Sequence, residues 1–174
     1  MEQIRLAKKE DAIFIAMLGR ITFTEAFGHL FTDKIGLKNY LDTTFNVDKI
    51  KKSLEKENNM YWIAFVNKLP VGYAKLKLNS TSQFVDALNV SQLQKIYVLH
   101  DFLSMKIGKR LQNLLLQKAA ESGSEKIWLS VYEGNKRAIG FYERNDFKKV
   151  GTHQFSIGKD HFQFWAMEKT LENI

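Results

Sequence analysis

The chain contains no cysteine among its 174 residues, and this absence excludes disulfide bonds, thiolate nucleophiles and cysteine-ligated zinc. It has a single proline, Pro70, and it lacks both a Gly/Ser-rich linker and an internal repeat. Neither a signal-like apolar segment at the N-terminus nor an apolar run of membrane-spanning length is present. We therefore expect a single domain over residues 1–174 that is soluble and cytoplasmic, without a membrane partner.

Basic residues outnumber acidic ones, 26 against 19, and give a formal net charge of +7. Such a balance attracts polyanions, either nucleic acid or the phosphates of a nucleotide cofactor. Much of the charge lies in residues 48–56, which we interpret as the solvated face of a helix. Helix-turn-helix, zinc and aromatic RNA-binding signatures are absent from the sequence. No nucleic-acid partner is expected, and a nucleic-acid-binding module is kept only as a less favoured alternative.

The first third of the chain shows mainly helical periodicity. A strand is predicted over residues 3–7, and a helix follows with Asp11 as its N-cap. Its predicted core face carries Ile13, Phe14, Met17, Leu18 and Ile21. Two short helices are predicted around residues 37–45 and 47–54.

Strands dominate the rest of the chain. They are predicted over residues 60–66, 71–78, 90–99, 126–132, 147–157 and 162–169. Two further helices are predicted over residues 108–120 and 135–144, the second capped by Asn135. Helices mixed into a strand-rich chain indicate an α/β or α+β fold with helices packed on a mixed sheet.

The strand at residues 90–99 leads through a short polar loop directly into a helix. At such a junction, backbone N–H groups without helical acceptors lie at the positive end of the helix dipole, and this arrangement binds a pyrophosphate. Gly108 permits close approach of a ligand, and Lys106, Lys109 and Arg110 add positive charge. The pattern is weak by itself, because strand–loop–helix units occur in most α/β proteins.

This segment resembles motif A of the GNAT superfamily of N-acetyltransferases. In that motif a strand reading I-Y-V precedes a Q/R-x-x-G-x-G/A loop that wraps the pyrophosphate of acetyl-CoA, the implied co-substrate. The matching strand residues are Ile96, Tyr97 and Val98. The loop would comprise Leu103, Ser104, Met105, Lys106, Ile107 and Gly108, with Lys109 beside it. Leu103 replaces the family's Gln or Arg, Lys106 replaces its first Gly, and only Gly108 of the signature remains.

A second segment resembles GNAT motif B, V-x-x-x-N-x-x-A-x-x-F-Y-x-x-x-G-F. The matching residues are Val131, Asn135, Ala138, Phe141, Tyr142 and Phe147. Asp146 replaces the usual Gly, and both Asn145 and Asp146 tolerate the left-handed backbone that a helix end often needs. Two motifs in this order are far more specific than either motif alone.

Weaker similarity extends to the bacterial subgroup that includes spermidine/spermine acetyltransferases, at residues 23–27, 40–42 and 150–160. The resemblance implies a GNAT fold, with a mixed, mostly antiparallel sheet of six or seven strands flanked by helices and splayed at its central strands. It also implies a small-molecule amine substrate, with polyamines the leading candidate and antibiotics and protein N-termini still open. The carboxylates of a polyamine site would be Glu25, Asp33, Asp42 and Asp86, although the basic balance argues against a polycation. A homodimer is compatible with the sequence.

The family reaction is direct attack of an amine on the thioester, without a covalent enzyme intermediate and without a metal. The resemblance implies that the pantetheine arm of the cofactor pairs with the strand edge at Ile96, Tyr97 and Val98, with the Val98 N–H pointing at the oxygen that becomes negative. Tyr142 is implied as the general acid for the departing thiolate, and Asn135 as both helix cap and cofactor contact.

The general base is not identified by the sequence. Gln92 and Gln94 occupy the strand where many relatives carry Glu, and an amide does not accept a proton usefully. Glu25, His29, Tyr97 or a water chain remain open, and each side chain is equally well explained as a surface, loop or packing residue. The first alternative is therefore a GNAT-like domain that binds acetyl-CoA but has lost or narrowed its catalysis, as Leu103, Lys106, Gln92 and Gln94 also suggest; the nucleic-acid-binding module comes second.

Overall fold

Seven strands form one mixed, mostly antiparallel sheet. The computed structural model describes residues 1–171, so residues 172–174 of the predicted domain lie outside the described part. The strands are β1 (Glu2–Leu6), β2 (Asn59–Val66), β3 (Leu69–Lys77), β4 (Val90–Val98), β5 (Lys126–Tyr132), β6 (Lys148–Ile157) and β7 (Asp160–Thr170). Their order in the sheet is β1-β2-β3-β4-β5-β7-β6, and β4 and β5 run parallel.

Five α-helices cover the two faces of this sheet. They are α1 (Ala12–Phe27), α2 (Lys34–Thr44), α3 (Val47–Leu54), α4 (Ile107–Glu121) and α5 (Lys136–Glu143). One core cluster joins the sheet to α4 and α5, and a second joins it to α1 and α3. A third, rich in aromatic rings, links α1 and α2 to β6. The predicted α/β fold is confirmed, with most element boundaries displaced by one or two residues.

The two predicted helix caps differ in outcome. The Asn135 side chain accepts a hydrogen bond from the Ala138 N–H at 3.1 Å, as predicted for the cap of α5. Asp11 does precede α1, but its carboxylate accepts from the Arg5 guanidinium at 2.7 and 2.9 Å and from the Lys8 N–H at 2.7 Å. Asp11 is therefore the N-cap residue of α1, as predicted, but it makes no side-chain capping bond, because Arg5 and the Lys8 N–H take its carboxylate oxygens.

Helix α1 packs on the sheet through a face that mixes small and large side chains, and the face predicted from the sequence is wrong. The residues that it buries are Ala12, Ile15, Ala16, Leu18, Gly19, Thr22 and Phe23. Of the five predicted core residues only Leu18 is buried, whereas Ile13, Phe14, Met17 and Ile21 are between 38% and 59% exposed. The helix is apolar on almost every side, so periodicity does not select one face, and small side chains allow the closest approach to the sheet.

The helical stretch Lys9–Leu30 has 22 residues and is apolar enough to cross a membrane by length and composition alone. The sequence was instead predicted to contain no apolar run of membrane-spanning length. One side of α1 packs against Tyr61, Ile63 and Tyr73 of the sheet, and a core helix passes the same test of length and composition. The stretch is therefore weak evidence for a membrane span.

Strands β4 and β5 pair only at their beginnings and then diverge. The register joins Val90, Ser91 and Gln92 to Lys126, Ile127 and Trp128. On the other side of β4, the pairing with β3 skips Gln94, which forms a β-bulge. A bulge bends its strand and increases its twist, and this favours the divergence. The sheet is thus splayed at its central strands, as the resemblance implied.

We predict that Gly19→Ala destabilises the fold. A β-carbon at Gly19 would overlap the Phe45 ring and lie 3.0 Å from the Tyr73 hydroxyl oxygen. Overpacking of this kind should lower the free energy of unfolding by about 1–3 kcal/mol in urea denaturation, despite the better helix propensity of alanine. The control is Gly140→Ala in α5, whose β-carbon meets only the flexible Arg144 guanidinium at 3.1 Å. Equal stability of the two variants would contradict the prediction.

Candidate functional site

The diverging edge of β4 presents unpaired backbone groups. The Leu99 N–H, just after β4, donates to the Val71 carbonyl of β3 at 2.9 Å. Because successive N–H groups of a strand point to opposite edges, those of Val98 and Ile96 point toward the edge from which β5 has diverged. Within residues 1–171, no strand pairs with this edge beyond Gln92. The site therefore starts as a strand edge that can accept a further extended chain.

Helix α4 begins beside this edge with an uncapped first turn. A 3₁₀ helix, His100–Met105, follows β4, and Lys106 is the N-cap of α4 without a side-chain capping bond. The first turn contains no acidic residue, and the first helical bond runs from the Arg110 N–H to the Lys106 carbonyl at 3.2 Å. The preceding amides of the turn, from Ile107 to Lys109, are the donors that a helix start offers to an anion.

The two glycine positions of the predicted loop have different backbone requirements. Lys106 has φ 58°, in the left-handed region that glycine adopts without strain. A β-carbon on Gly108 would lie 3.9 Å from Cγ2 of Ile96 and 4.0 Å from Cγ2 of Val98, which are ordinary contacts. The left-handed backbone at position 106 would favour the glycine of the family motif. At position 108, packing within the protein does not require a glycine.

Two of the three predicted cations at this junction have partners in the protein. Lys109 donates to the Asn145 side-chain oxygen, and thereby ties the start of α4 to the end of α5. The Arg110 guanidinium pairs with Glu2 and also donates to the Met105 carbonyl at 3.3 Å. Lys106 is exposed and has no ion pair within residues 1–171. Lys106 is thus the cation at the junction that is least engaged by the protein.

Tyr142 on α5 is 9% exposed and packs against Phe141 and Phe147, with ring centroids 5.3 and 5.5 Å away. Burial raises the pKa of its hydroxyl, so the side chain is a proton donor at neutral pH. Tyr142 belongs to the core cluster against which Ile96 and Val98 of β4 pack. The structure therefore brings Tyr142 of motif B into one cluster with two strand residues of motif A.

The candidate bases named from the sequence occupy different surroundings. The Glu25 carboxylate, at the end of α1, accepts a hydrogen bond from the His100 N–H at 3.2 Å, two residues beyond Val98. His29 is exposed in the 3₁₀ helix after α1. Burial raises the pKa of Tyr97, so its hydroxyl stays protonated and is a poor base. Glu25 is the candidate that the structure places at the end of the open edge.

An aromatic cluster borders the site on the α1 and α2 side. Its rings come from α1, α2, β4, β5 and β7. This aromatic wall consists of Phe23, Phe27, Tyr40, Tyr97, Tyr132 and Phe162. Asp160 accepts from the Thr32 and Asp33 N–H groups, and so fastens the turn between β6 and β7 to the start of α2. The sequence did not reveal this wall, because its members are scattered over the whole chain.

Two lysines on neighbouring strands were also missed. Lys75 of β3 and Lys95 of β4 are register partners and therefore lie side by side on one face of the sheet. Burial, together with nearby lysines, lowers the pKa of each to about 8. Lys95 precedes Val98 by three residues, so this pair lies close to the open edge. Neither lysine has a carboxylate partner within residues 1–171.

Comparison with known proteins identifies the family. The model of the acetyltransferase (GNAT) family matches residues 23–147, most of the chain and both motifs. The chain belongs to the GNAT family. It is accordingly an acetyl-CoA-dependent N-acetyltransferase.

Relatives of this GNAT protein extend over its full length. An uncharacterised N-acetyltransferase encoded in the 3′ region of pepI in Lactobacillus delbrueckii subsp. lactis is 25% identical over 97% of this chain and 96% of its own length. The fold matches the PaiA N-acetyltransferase of Thermoplasma acidophilum, solved with coenzyme A, with a TM-score of 0.74 at 18% identity, over 98% and 99% of the two chains. A GCN5-related N-acetyltransferase of Rhodopseudomonas palustris gives 0.75 at 16% identity, over 98% and 96%.

We predict that Lys106→Gly stabilises the protein, because glycine adopts φ 58° without the strain of a β-carbon. The free energy of unfolding should rise by about 1 kcal/mol in urea denaturation. Lys106→Ala is the matched control: it removes the ammonium but keeps the β-carbon, and should leave stability nearly unchanged. The same gain in both variants would show that backbone strain at this residue is not the cause.

We also predict that stability increases from about pH 8 to about pH 10. Lys75 and Lys95 lose their protons in the folded state near pH 8, whereas in the unfolded chain they keep them to about pH 10.4. In this window the unfolded state binds more protons, so a rise in pH favours folding. Urea denaturation across the window tests this, and Lys75→Met or Lys95→Met should flatten the rise. An unchanged slope in both variants would contradict the assignment.

Proposed function

We propose that this chain acetylates a primary amine by direct attack on acetyl-CoA within a ternary complex. The observation that carries the proposal is the meeting of two backbone features: an unpaired β4 edge that ends at Val98, and an uncapped α4 start after Lys106. An extended chain pairs with the first, and a diphosphate binds at the second. Coenzyme A carries both groups in one molecule.

The proposed cofactor contacts follow these two features. Ile96, Tyr97 and Val98 supply the strand edge for the pantetheine arm. The diphosphate is held by the loop of Leu103, Ser104, Met105, Lys106, Ile107 and Gly108, with Lys109 beside it. Asn135 holds the start of α5 in place through its capping bond, and thereby positions Tyr142 on the other side of the opening.

The chemical step needs two groups of this chain. Acetyl-CoA supplies an acetyl thioester whose carbonyl carbon accepts the amine nitrogen, so that a C–N bond forms while the C–S bond breaks. The Val98 N–H donates a hydrogen bond to the carbonyl oxygen as that oxygen gains negative charge. Tyr142 gives its hydroxyl proton to the departing sulfur. A tyrosine hydroxyl is protonated at neutral pH, so the proton is present before the attack.

As the amide forms, its nitrogen gives up one proton, which restores the Tyr142 hydroxyl through solvent. Before attack, a lysine-like amine must also lose a proton, since its pKa is near 10.4 and it is mostly charged at neutral pH. We propose that Glu25 receives it, directly or through water. The support is the hydrogen bond between the Glu25 carboxylate and the His100 N–H, which places a carboxylate next to the end of β4. Gln92 and Gln94 lie on the strand where many relatives carry Glu, and an acceptor on α1 would compensate for that loss.

The acceptor is proposed to be an amine without a string of positive charges. Of the carboxylates considered for a polyamine, Asp33 accepts from the Gly36 and Lys159 N–H groups, and Asp42 pairs with Arg20 and Lys38. A polycation would have to compete with these internal partners. The aromatic wall and the Lys75–Lys95 pair also present no negative charge. Spermidine is therefore the less favoured acceptor and belongs in any substrate panel.

The first test is Tyr142→Phe in a thiol-release assay with acetyl-CoA across a panel of amines. Loss of a general acid should lower kcat by about 100-fold or more, with little change in the Kd for coenzyme A. The matched control is Tyr61→Phe, which alters a similarly buried tyrosine on β2 that bonds Ser53 at 2.8 Å. This control should lose some stability but keep its kcat. Equal turnover of Tyr142→Phe and the unmodified protein would remove Tyr142 from the mechanism.

The same assay separates the alternatives. Binding of coenzyme A without thiol release for any amine would support a GNAT-like domain that does not catalyse transfer. A salt-sensitive mobility shift with DNA, in the absence of coenzyme A binding, would support the nucleic-acid-binding module.

A further inference from the structure

A groove rich in lysine lies between α3 and the ends of β3 and β4. Its volume is about 710 Å³, within the range of small-molecule sites. Five lysines from two separate elements line it: Lys49, Lys52 and Lys56 from the α3 region, and Lys75 and Lys77 from β3. Positive charge therefore converges on one concave surface from both sides.

Acidic side chains do not balance these lysines. Asp48 is the one carboxylate that lines the groove within the described residues; its side chain is 82% exposed and lies 3.9 Å from Lys51. None of the five lysines forms an ion pair in the part of the chain that the structure describes. Neutral amides complete the lining, and Asn46 uses its side-chain oxygen to cap α3, which leaves its NH₂ group as a donor.

On the sheet side of the groove, lysine ammonium groups lie over aromatic rings. The Lys75 ammonium lies 5.2 Å from the centre of the Tyr61 ring, and the neighbouring Lys95 ammonium lies 5.1 Å from that of Phe45 and 5.3 Å from that of Tyr97. Partly buried cations without counterions repel one another, and the lowered pKa of Lys75 and Lys95 reflects burial together with this repulsion. An anion in the groove would remove the repulsion.

We propose that this groove binds a small, multiply charged anion of the phosphate type, such as a polyphosphate or the polyphosphate of a nucleotide. Its concave shape and small volume fit such an anion better than a nucleic-acid duplex, which contacts an extended basic surface. The groove is built by α3, β3 and the bulge at Gln94, and shares none of the α4 amides. The proposal therefore does not depend on acetyl transfer.

The experiment is calorimetric titration of tripolyphosphate into the protein saturated with coenzyme A, which blocks the junction before α4. Tripolyphosphate should bind, and Lys52→Met/Lys75→Met should weaken it by about 100-fold, roughly tenfold for each charge-assisted contact removed. Lys52→Met alone changes an exposed helix residue, so it tests the site even if the Lys75 variant fails to fold. The matched control, Lys118→Met/Lys148→Met, removes the same charge from α4 and β6 and should leave the Kd within about twofold.

A parallel titration with ATP distinguishes the source of the anion. Tighter binding of ATP than of tripolyphosphate indicates a nucleotide, and tighter binding of tripolyphosphate indicates an inorganic polyphosphate. Either result supports the site if the groove variants lose this binding. Absence of binding, or an equal loss in the groove and control variants, would overturn the proposal. Failure of the protein to bind coenzyme A would refute the proposed acetyl transfer. It would not refute the groove proposal, because the groove and control variants could still be compared.

Discussion

The divergence of β4 from β5 is the constraint on which the rest of this structure depends. Backbone N–H and C=O groups that leave a sheet need other partners, because burying them unpaired is unfavourable. The edge of β4 beyond Gln92 has lost its strand partner, while its other edge stays tightly paired with β3. At Gly72 that pairing is so close that a β-carbon would lie 2.8 Å from the Tyr97 carbonyl oxygen. The sheet therefore holds one edge of β4 rigidly and leaves the opposite edge for a ligand.

At two positions where the family motifs have glycine, this chain has another residue, and the backbone at these two positions shares one property. Lys106 and Asp146 both have positive φ, at 58° and 66°. Aspartate tolerates this conformation better than lysine, and the Asp146 carboxylate is also paired with Lys169 at 3.0 Å. Residues 106 and 146 thus keep the shape of the motifs without their glycines. The departure from the family pattern therefore concerns local strain and charge at two positions whose positive φ favours glycine.

Local patterns in the sequence predicted most of the elements, because strand alternation, helical spacing and a cap such as Asn135 act over a few residues. The face of α1 was predicted wrongly because its apolar residues surround the helix, and only the docked sheet decides which of them are buried. The lysine groove and the aromatic wall were not predictable for a different reason. Lys75 and Lys95 are 20 positions apart and meet through the register of β3 and β4, which depends on the bulge at Gln94.

The distribution of charge gives the net value of +7 a structural meaning. Acidic side chains are spread over several elements, and some are held in ion pairs, as Asp11 is with Arg5 and Asp42 with Arg20. The five lysines of the groove instead lie together without ion-pair partners among the described residues, and each raises the positive potential at the others. The electrostatic potentials of the charges that line a concave site add together there. Such a groove therefore attracts an anion more strongly than the same charges would if they were scattered over the protein. The excess of basic residues in the sequence is therefore a property of particular surfaces, and it does not by itself imply a nucleic-acid partner.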